Sequence, residues 1–216
     1  MVRVGTWNMA GRWDDRHERL LTEQDCDVWL LTEVNARAGL VGYEVCRTAE
    51  TMVAGRAWAA VLSRSPLEIM PDPHPASAAA RSDGVVYCSS ILPWRSCGSD
   101  APWAGANHAE RTQHAVATLL ASLPEGDLVW GGDWNHSLSG AELAGSKAGR
   151  QAVLTAVSKR GLRVPTAGLP SHLDECLSID HIAVPGAWEA GARHVSALVD
   201  GVRLSDHDVY VVDVPV

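Results

Sequence analysis

Apolar residues recur along the chain in short runs with strand character, at Val2–Trp7, Asp27–Leu31, Ala57–Ser63, Val85–Ile91, Asp127–Gly131, Ser178–Val184, His194–Val199 and Asp208–Val214. That is enough for two sheets. A longer period appears over His108–Leu123, where Ala115, Val116, Leu119, Leu120 and Leu123 share one helical face and Pro124 with Gly126 ends the helix. Lys147–Arg160 repeats the pattern, with Val153, Leu154 and Val157 inward and Gly161 as the stop, and a shorter helix carrying Leu20 and Leu21 starts near Asp14. Pro71–Ser82 and Arg95–Gly105, rich in Pro, Ser and Gly, read as surface loops, because strand patterns resume soon after each. No stretch reads as a linker or an internal repeat, so one domain over 1–216 is expected.

Composition narrows the class. The 216 residues are 46% hydrophobic and 20% charged, ordinary for a globular chain and too apolar for a disordered one. The longest apolar run, about Ala57 to Leu62, is far short of a membrane span. "MVRVGTWN" enters a strand pattern directly, without the features of a signal peptide, so a cytoplasmic protein is expected. The five cysteines are odd in number and widely spaced, which points to reduced, mostly buried thiols rather than disulfides or a zinc site. A net charge of −8 opposes docking along a polyanion unless basic residues cluster in space or some acids bind metal.

Polar residues gather at one kind of place. Asn8 ends "VRVGTWN", Glu33 ends "DVWLLTE", Asp133 and Asn135 follow "LVWGG", Asp180 and His181 open "DHIAV", and Asp206 and His207 stand just before the last strand. A rigid strand fixes the direction of the side chain at its tip, so such tips, if they converge, build an oxygen-rich cage with an imidazole beside it. A cage of this composition suits Mg²⁺ or Mn²⁺, which take carboxylate and carbonyl oxygen and complete their shell with water and substrate phosphate. Hydrolysis of a phosphate ester is the chemistry implied.

Taken in order, "GTWNMAG", "DVWLLTEVN", "AAVLSRSPL", "GGDWNHS", "SIDHI" and "LSDH" resemble the motifs of the endonuclease/exonuclease/phosphatase superfamily, from Val2 to the C-terminus. The resemblance implies an α/β fold, a four-layer α/β sandwich of two packed mixed sheets with outer helices and a site at one end. It also implies that Asn8, Glu33 and Asp206 serve the metal. Asp133 would orient or deprotonate the attacking water, and Asn135, on an extended tip, would donate to the phosphoryl oxygen. Asp180 would hold His207, which would contact the scissile phosphate. His136 and His181 are expected to face away.

Three departures from the family pattern stand out: Ser89 and Ser90 where many members carry histidine or tyrosine, Thr32 for a common glutamine, and Trp134 for a common phenylalanine. Ser90 is aligned as a substrate-binding hydroxyl that cannot carry positive charge. Of the nine tryptophans, Trp7, Trp29, Trp58 and Trp130 belong to strand patterns and to the core, whereas Trp13, Trp94 and Trp103 lie in loops that would rim the site, Trp94 being a candidate to stack on a base.

The function implied is a divalent-metal-dependent phosphodiesterase, a nuclease acting on DNA or RNA, with no membrane and no obligate protein partner. Acidic charge motivates an alternative, hydrolysis of a small phosphorylated metabolite. Ser89–Ser90 motivates another, a phosphate-binding domain without turnover.

Overall fold

A computed structural model describes residues 1–214. Two mixed sheets carry the fold. In the first, Gly191–Val195, Val209–Val214, Val2–Asn8, Val28–Asn35, Arg56–Ser63 and Glu44–Arg47 lie side by side in that order, and Thr51–Val53 also pairs with Arg56–Ser63. In the second, the order is Leu162–Arg163, Asp180–Pro185, Leu128–Asp133, Val85–Ser90, Ser77–Ser82 and Glu68–Ile69. Each sheet contains one parallel pair: Val2–Asn8 beside Val28–Asn35, and Val85–Ser90 beside Leu128–Asp133.

Alternation along the strands sorts side chains into layers. Val4, Val28, Leu30, Val61, Val129, Ile182 and Val212 meet between the two sheets. Their chain neighbours Trp29, Leu31 and Leu62 face outward, where Leu20 and Leu21 of the helix Asp15–Gln24 cover them. On the far side of the second sheet Trp130 and Ala183 pack against Val116, Leu119, Val153 and Val157, from the helices His108–Ser122 and Lys147–Lys159. The result is a four-layer sandwich. Each helix is capped at its start by the expected kind of side chain, Asp14, Asn107 and Ser146, which accept orphan backbone N–H bonds.

Pro71–Ser82 is not a loop throughout. Ser77–Ser82 is a strand, with Ala78 and Ala80 facing the other sheet and Ala79 the helices, all fully buried. Small residues buried on both faces leave no polar alternation for a sequence pattern to register. The run His194–Val199 also divides: the strand stops at Val195, and Leu198–Val199 turns back on Val202–Arg203 as a separate two-stranded hairpin. All five cysteines are free, with Cys26, Cys46 and Cys88 buried. Among the described residues no helix is long and apolar enough to cross a membrane.

Topology brings the polar tips together. Val2–Asn8 and Val28–Asn35 run in parallel, so Asn8 and the stretch around Glu33 end at the same edge. Val209–Val214 runs the other way, which places its start, and His207 just before it, at that edge too. In the second sheet Asp180 lies opposite Asp133 across an antiparallel pair.

Candidate active site

Five chain segments converge at this edge, and three of them enter the left-handed backbone region, at Ala10, Glu33 and Asn135. Glu33 has φ 48° and Asn135 φ 53°, a conformation that costs a non-glycine residue about 1–3 kcal/mol and persists only where the surroundings enforce it. At Glu33 the enforcement is visible: Thr32 pairs with Ala59 and Val34 with Ala57, while the Glu33 carbonyl accepts the Gly11 N–H at 2.9 Å. Gly11 itself has φ 70°, and a Cβ there would lie 2.2 Å from the Arg56 guanidinium, so the turn after Asn8 presses directly on that arginine.

The glycines of "WGGD" serve close approach in the same way. At φ 122° Gly132 admits no ordinary side chain, and a Cβ would stand 2.1 Å from the Ser90 carbonyl. The strand can therefore press against its neighbour and deliver Asp133 to the edge.

One amide joins the two carboxylate groups. The Asn8 side-chain NH₂ donates to Glu33 Oε1 at 3.1 Å and to Asp133 Oδ2 at 3.0 Å. Its oxygen accepts the Ala10 N–H at 2.9 Å and keeps a second lone pair. Glu33 Oε2 pairs with Arg56 at 2.7 Å. His207 Nδ1 lies 2.7 Å from Asp180 Oδ2, and its Nε2 lies 3.9 Å from Asp133 Oδ2. The Ser205 hydroxyl donates to the Asn8 carbonyl and accepts the His207 N–H, fixing that segment on the first strand.

The group is unfinished electrostatically. Asp133, Asp180 and His207 present ligand atoms within 4.8 Å of one another. Asp180 Oδ1 is buried without a hydrogen-bond partner. Burial, aided by Asp180, pushes the Asp133 carboxyl well above the usual carboxylate range, although His207 opposes it. Burial alone would hold the His207 imidazole neutral, but Asp180, Asp133 and Asp206 outweigh it and raise its pKa to about 10. Two buried carboxylates, one with a free oxygen, share a single imidazolium, and with Glu33 close by they form an oxygen donor set that a hard cation fits.

Not every expected residue joins the group. Asp206 is exposed beside it, 3.4 Å from the Ser205 hydroxyl. The strand ends at Asp133 rather than running on to Asn135, and Asp133 Oδ1 accepts the Asn135 N–H at 3.0 Å in a tight turn. Asn135 is therefore placed by this turn and by its NH₂ donating to the Leu92 carbonyl, not by strand alternation. Ser90 is a correction: its fully buried hydroxyl accepts the Trp130 indole N–H at 3.0 Å, on the helix side of the sheet, and Ser89 donates across to the Leu31 carbonyl. Trp94 stands edge-on to Trp103, which is 4% exposed and stacks on His74 in a separate apolar cluster, so Trp103 does not rim the site.

His136 and His181 are buried on the helix side, where His181 Nε2 lies 2.9 Å from the His136 carbonyl. Arg56 was not among the expected residues. Only the register that sets it opposite Asn35 brings it to Glu33.

Residues 5–207 match the model of the Endonuclease/Exonuclease/phosphatase family, and the chain belongs to that family. It is thus a phosphoesterase, in a family that is generally dependent on a divalent metal. Among solved structures it is similar to a 3′ phosphatase, NExo, from Neisseria bound to product DNA hairpin, with 17% identity, TM-score 0.73 and complete coverage of both chains, 100% each. An AP endonuclease from Archaeoglobus fulgidus gives 15% identity and TM-score 0.71, again with 100% of each chain covered. The endonuclease domain of TRAS1, a telomere-specific non-LTR retrotransposon, gives 17% identity and TM-score 0.69 over 99% of this chain and 97% of that one. At these identities the likeness is one of fold. No curated protein matches the sequence.

Proposed function

We propose that the chain, acting as one domain over 1–216, is a phosphodiesterase that cleaves nucleic acid with Mg²⁺ or Mn²⁺. The observation that carries this reading is the convergence of Asp133, Asp180 and His207 within 4.8 Å, tied through Asn8 to Glu33. Glu33, which Asn8 orients, the unpartnered Oδ1 of Asp180 and the exposed Asp206 beside them are the carboxylates that would hold the cation. When bound, the cation neutralises charge on the phosphoryl oxygens.

The remaining work falls to side chains. Asp133 accepts a proton from the attacking water as its oxygen bonds to phosphorus. Asn135 keeps one amide N–H beyond the bond to Leu92 and offers it to a phosphoryl oxygen. His207, kept cationic by Asp180 at 2.7 Å, donates to another oxygen of the same phosphate. As the P–O bond to the leaving group breaks, its oxygen takes up a proton from solvent or from the site.

The test is hydrolysis of plasmid, single-stranded DNA, RNA, an aryl phosphodiester and an aryl phosphomonoester, with each metal and with chelator, using Asp133→Ala as the control. Metal-dependent cutting of a polymer that the variant lacks is the expected result. Turnover confined to the small esters would favour a phosphorylated metabolite instead, the reading that the net charge of −8 supports.

A further inference from the structure

Breaking a phosphate ester leaves a charged oxygen, and none of the convergent side chains is free to serve it. Asp133 takes the proton of the attacking water, Asn135 and His207 hold phosphoryl oxygens, and Glu33, Asp180 and Asp206 face the cation. The strand end at Ser89 and Ser90 supplies nothing, because both hydroxyls are bonded inside the sandwich. An alkoxide departs with difficulty, and a proton delivered to it as it leaves is worth about 10²–10⁴ in rate.

One further imidazole faces this edge. A cavity of about 500 Å³ is walled in part by Asp180, Asp206 and His207, and His172 stands in the same lining, whereas Asp133 does not. In-line displacement puts the attacking and leaving oxygens on opposite sides of phosphorus. With the water held at Asp133, the leaving oxygen points to the side of His207 where the cavity opens.

The backbone that carries His172 is fixed. Pro170 bridges to Leu177, the Ser171 N–H donates to the Cys176 carbonyl at 2.9 Å, and the Tyr210 hydroxyl donates to the Pro170 carbonyl at 2.9 Å. The His172 side chain is exposed, and the charges acting on it are Arg203, Asp208, His207 and Asp206, all from the segment that leads into Val209–Val214. Its limited burial, with Arg203 and His207, lowers its pKa from 6.5 against the pull of Asp208 and Asp206. His207, raised to about 10, keeps its proton; His172 gives one up more readily.

We propose that His172 is the general acid of the reaction, donating a proton from its imidazole to the leaving oxygen. This deepens the phosphodiesterase reading above and rests on it. The water oxygen bonds to phosphorus as its proton passes to Asp133. The electron pair of the breaking P–O bond goes to the leaving oxygen, which takes the His172 proton. Neutral His172 then regains a proton from solvent, and Asp133 releases one.

The experiment measures single-turnover rates of the parent and of His172→Gln, with Mn²⁺, on a nitrophenyl methyl phosphate, a phenyl methyl phosphate and a short DNA strand. Nitrophenoxide departs as a stable anion, phenoxide less easily, and the sugar alkoxide least. His172→Gln is expected to slow the strand about 10²-fold, the phenyl ester about tenfold and the nitrophenyl ester by no more than about threefold. Mn²⁺ affinity by calorimetry should stay as in the parent. Glu175→Gln, in the same loop and the same cavity lining, should leave all three rates unchanged.

Equal losses on the three esters, no loss on any, or a graded loss in Glu175→Gln instead, overturns the proposal and leaves the phosphodiesterase reading standing. Turnover of the aryl esters alone, with the graded loss intact, keeps His172 as the acid and overturns the nucleic-acid substrate. No metal-dependent turnover of any ester overturns both.

Discussion

Two aspartate–histidine pairs are built on consecutive residues, His207 and Asp208, just before the last strand, and they have opposite characters. In His207–Asp180, at 2.7 Å, one carboxylate oxygen is buried without a partner and a second acid, Asp133, stands near. In His194–Asp208, at 2.6 Å, both carboxylate oxygens are occupied, by His194, the Ala197 N–H and Arg203. Burial pushes Asp208 up, but those bonds outweigh it and leave it below its ordinary pKa. Asp133 moves the other way. Residue type is therefore no guide to role: the saturated pair staples the Leu198–Arg203 hairpin to the sheet, and the unsaturated one has capacity left for a cation and a substrate.

The strongest way to break this contrast is Asp133→Ala, for which a loss of about 10³–10⁴ in kcat is expected, matching the effect of chelator. A fully active variant would remove Asp133 from the chemistry. Asp180→Asn should cost about 10² in kcat with KM little changed, because it leaves His207 in place without its orienting charge. An unchanged kcat would reduce Asp180 to packing.

The saturated pair should respond in stability instead. Asp208→Ala strands Arg203 and His194 and is expected to destabilise the fold by about 3 kcal/mol in denaturant unfolding. Its kcat at a temperature where it is folded should stay within a few-fold of the parent. Loss of turnover without loss of stability would dissolve the distinction.

A smaller effect concerns pH. His74, buried against Trp103, is pushed down to about 4 from 6.5, first by burial, against the opposing pull of the Pro102 backbone. The folded pKa lies below the unfolded one, so the unfolded chain binds more protons between them. Stability from this site is complete above pH 6.5 and falls as pH drops toward 4. Unfolding at pH 5 compared with pH 7 should show about 2 kcal/mol of this loss, and His74→Gln should remove that part of the slope. An unaltered slope would place the acid sensitivity elsewhere.

Much of the frame was legible without coordinates. The runs ending at Asn8, Glu33 and Asp133 stood out because an apolar strand passes abruptly into a polar tip, and the two long helices because their apolar faces recur at helical spacing. Ser77–Ser82 was not legible, since three alanines buried on both faces look like a loop when flanked by Pro and Ser. Ser90 was not legible either, because both hydroxyls of the pair are used inside the sandwich, Ser90 on the Trp130 indole and Ser89 on the Leu31 carbonyl, and only the packing of the sheets shows it. Arg56 and the left-handed turn at Glu33 depend on strand register, which no local pattern contains.

The sequence by itself determined the strand and helix periods, the polar residues at the tips and the family to which they belong, because these are properties of neighbours along the chain. Tertiary structure alone decided which tips meet, that the Asn8 NH₂ faces two carboxylates, that Asp208 is satisfied while Asp180 is not, and that an apolar cavity opens beside Asp180 and His207. Those facts concern residues as far apart as Asn8 and His207. Their proximity is set by strand pairing and sheet packing, and the field each charge experiences depends on what burial has removed and what it has brought close.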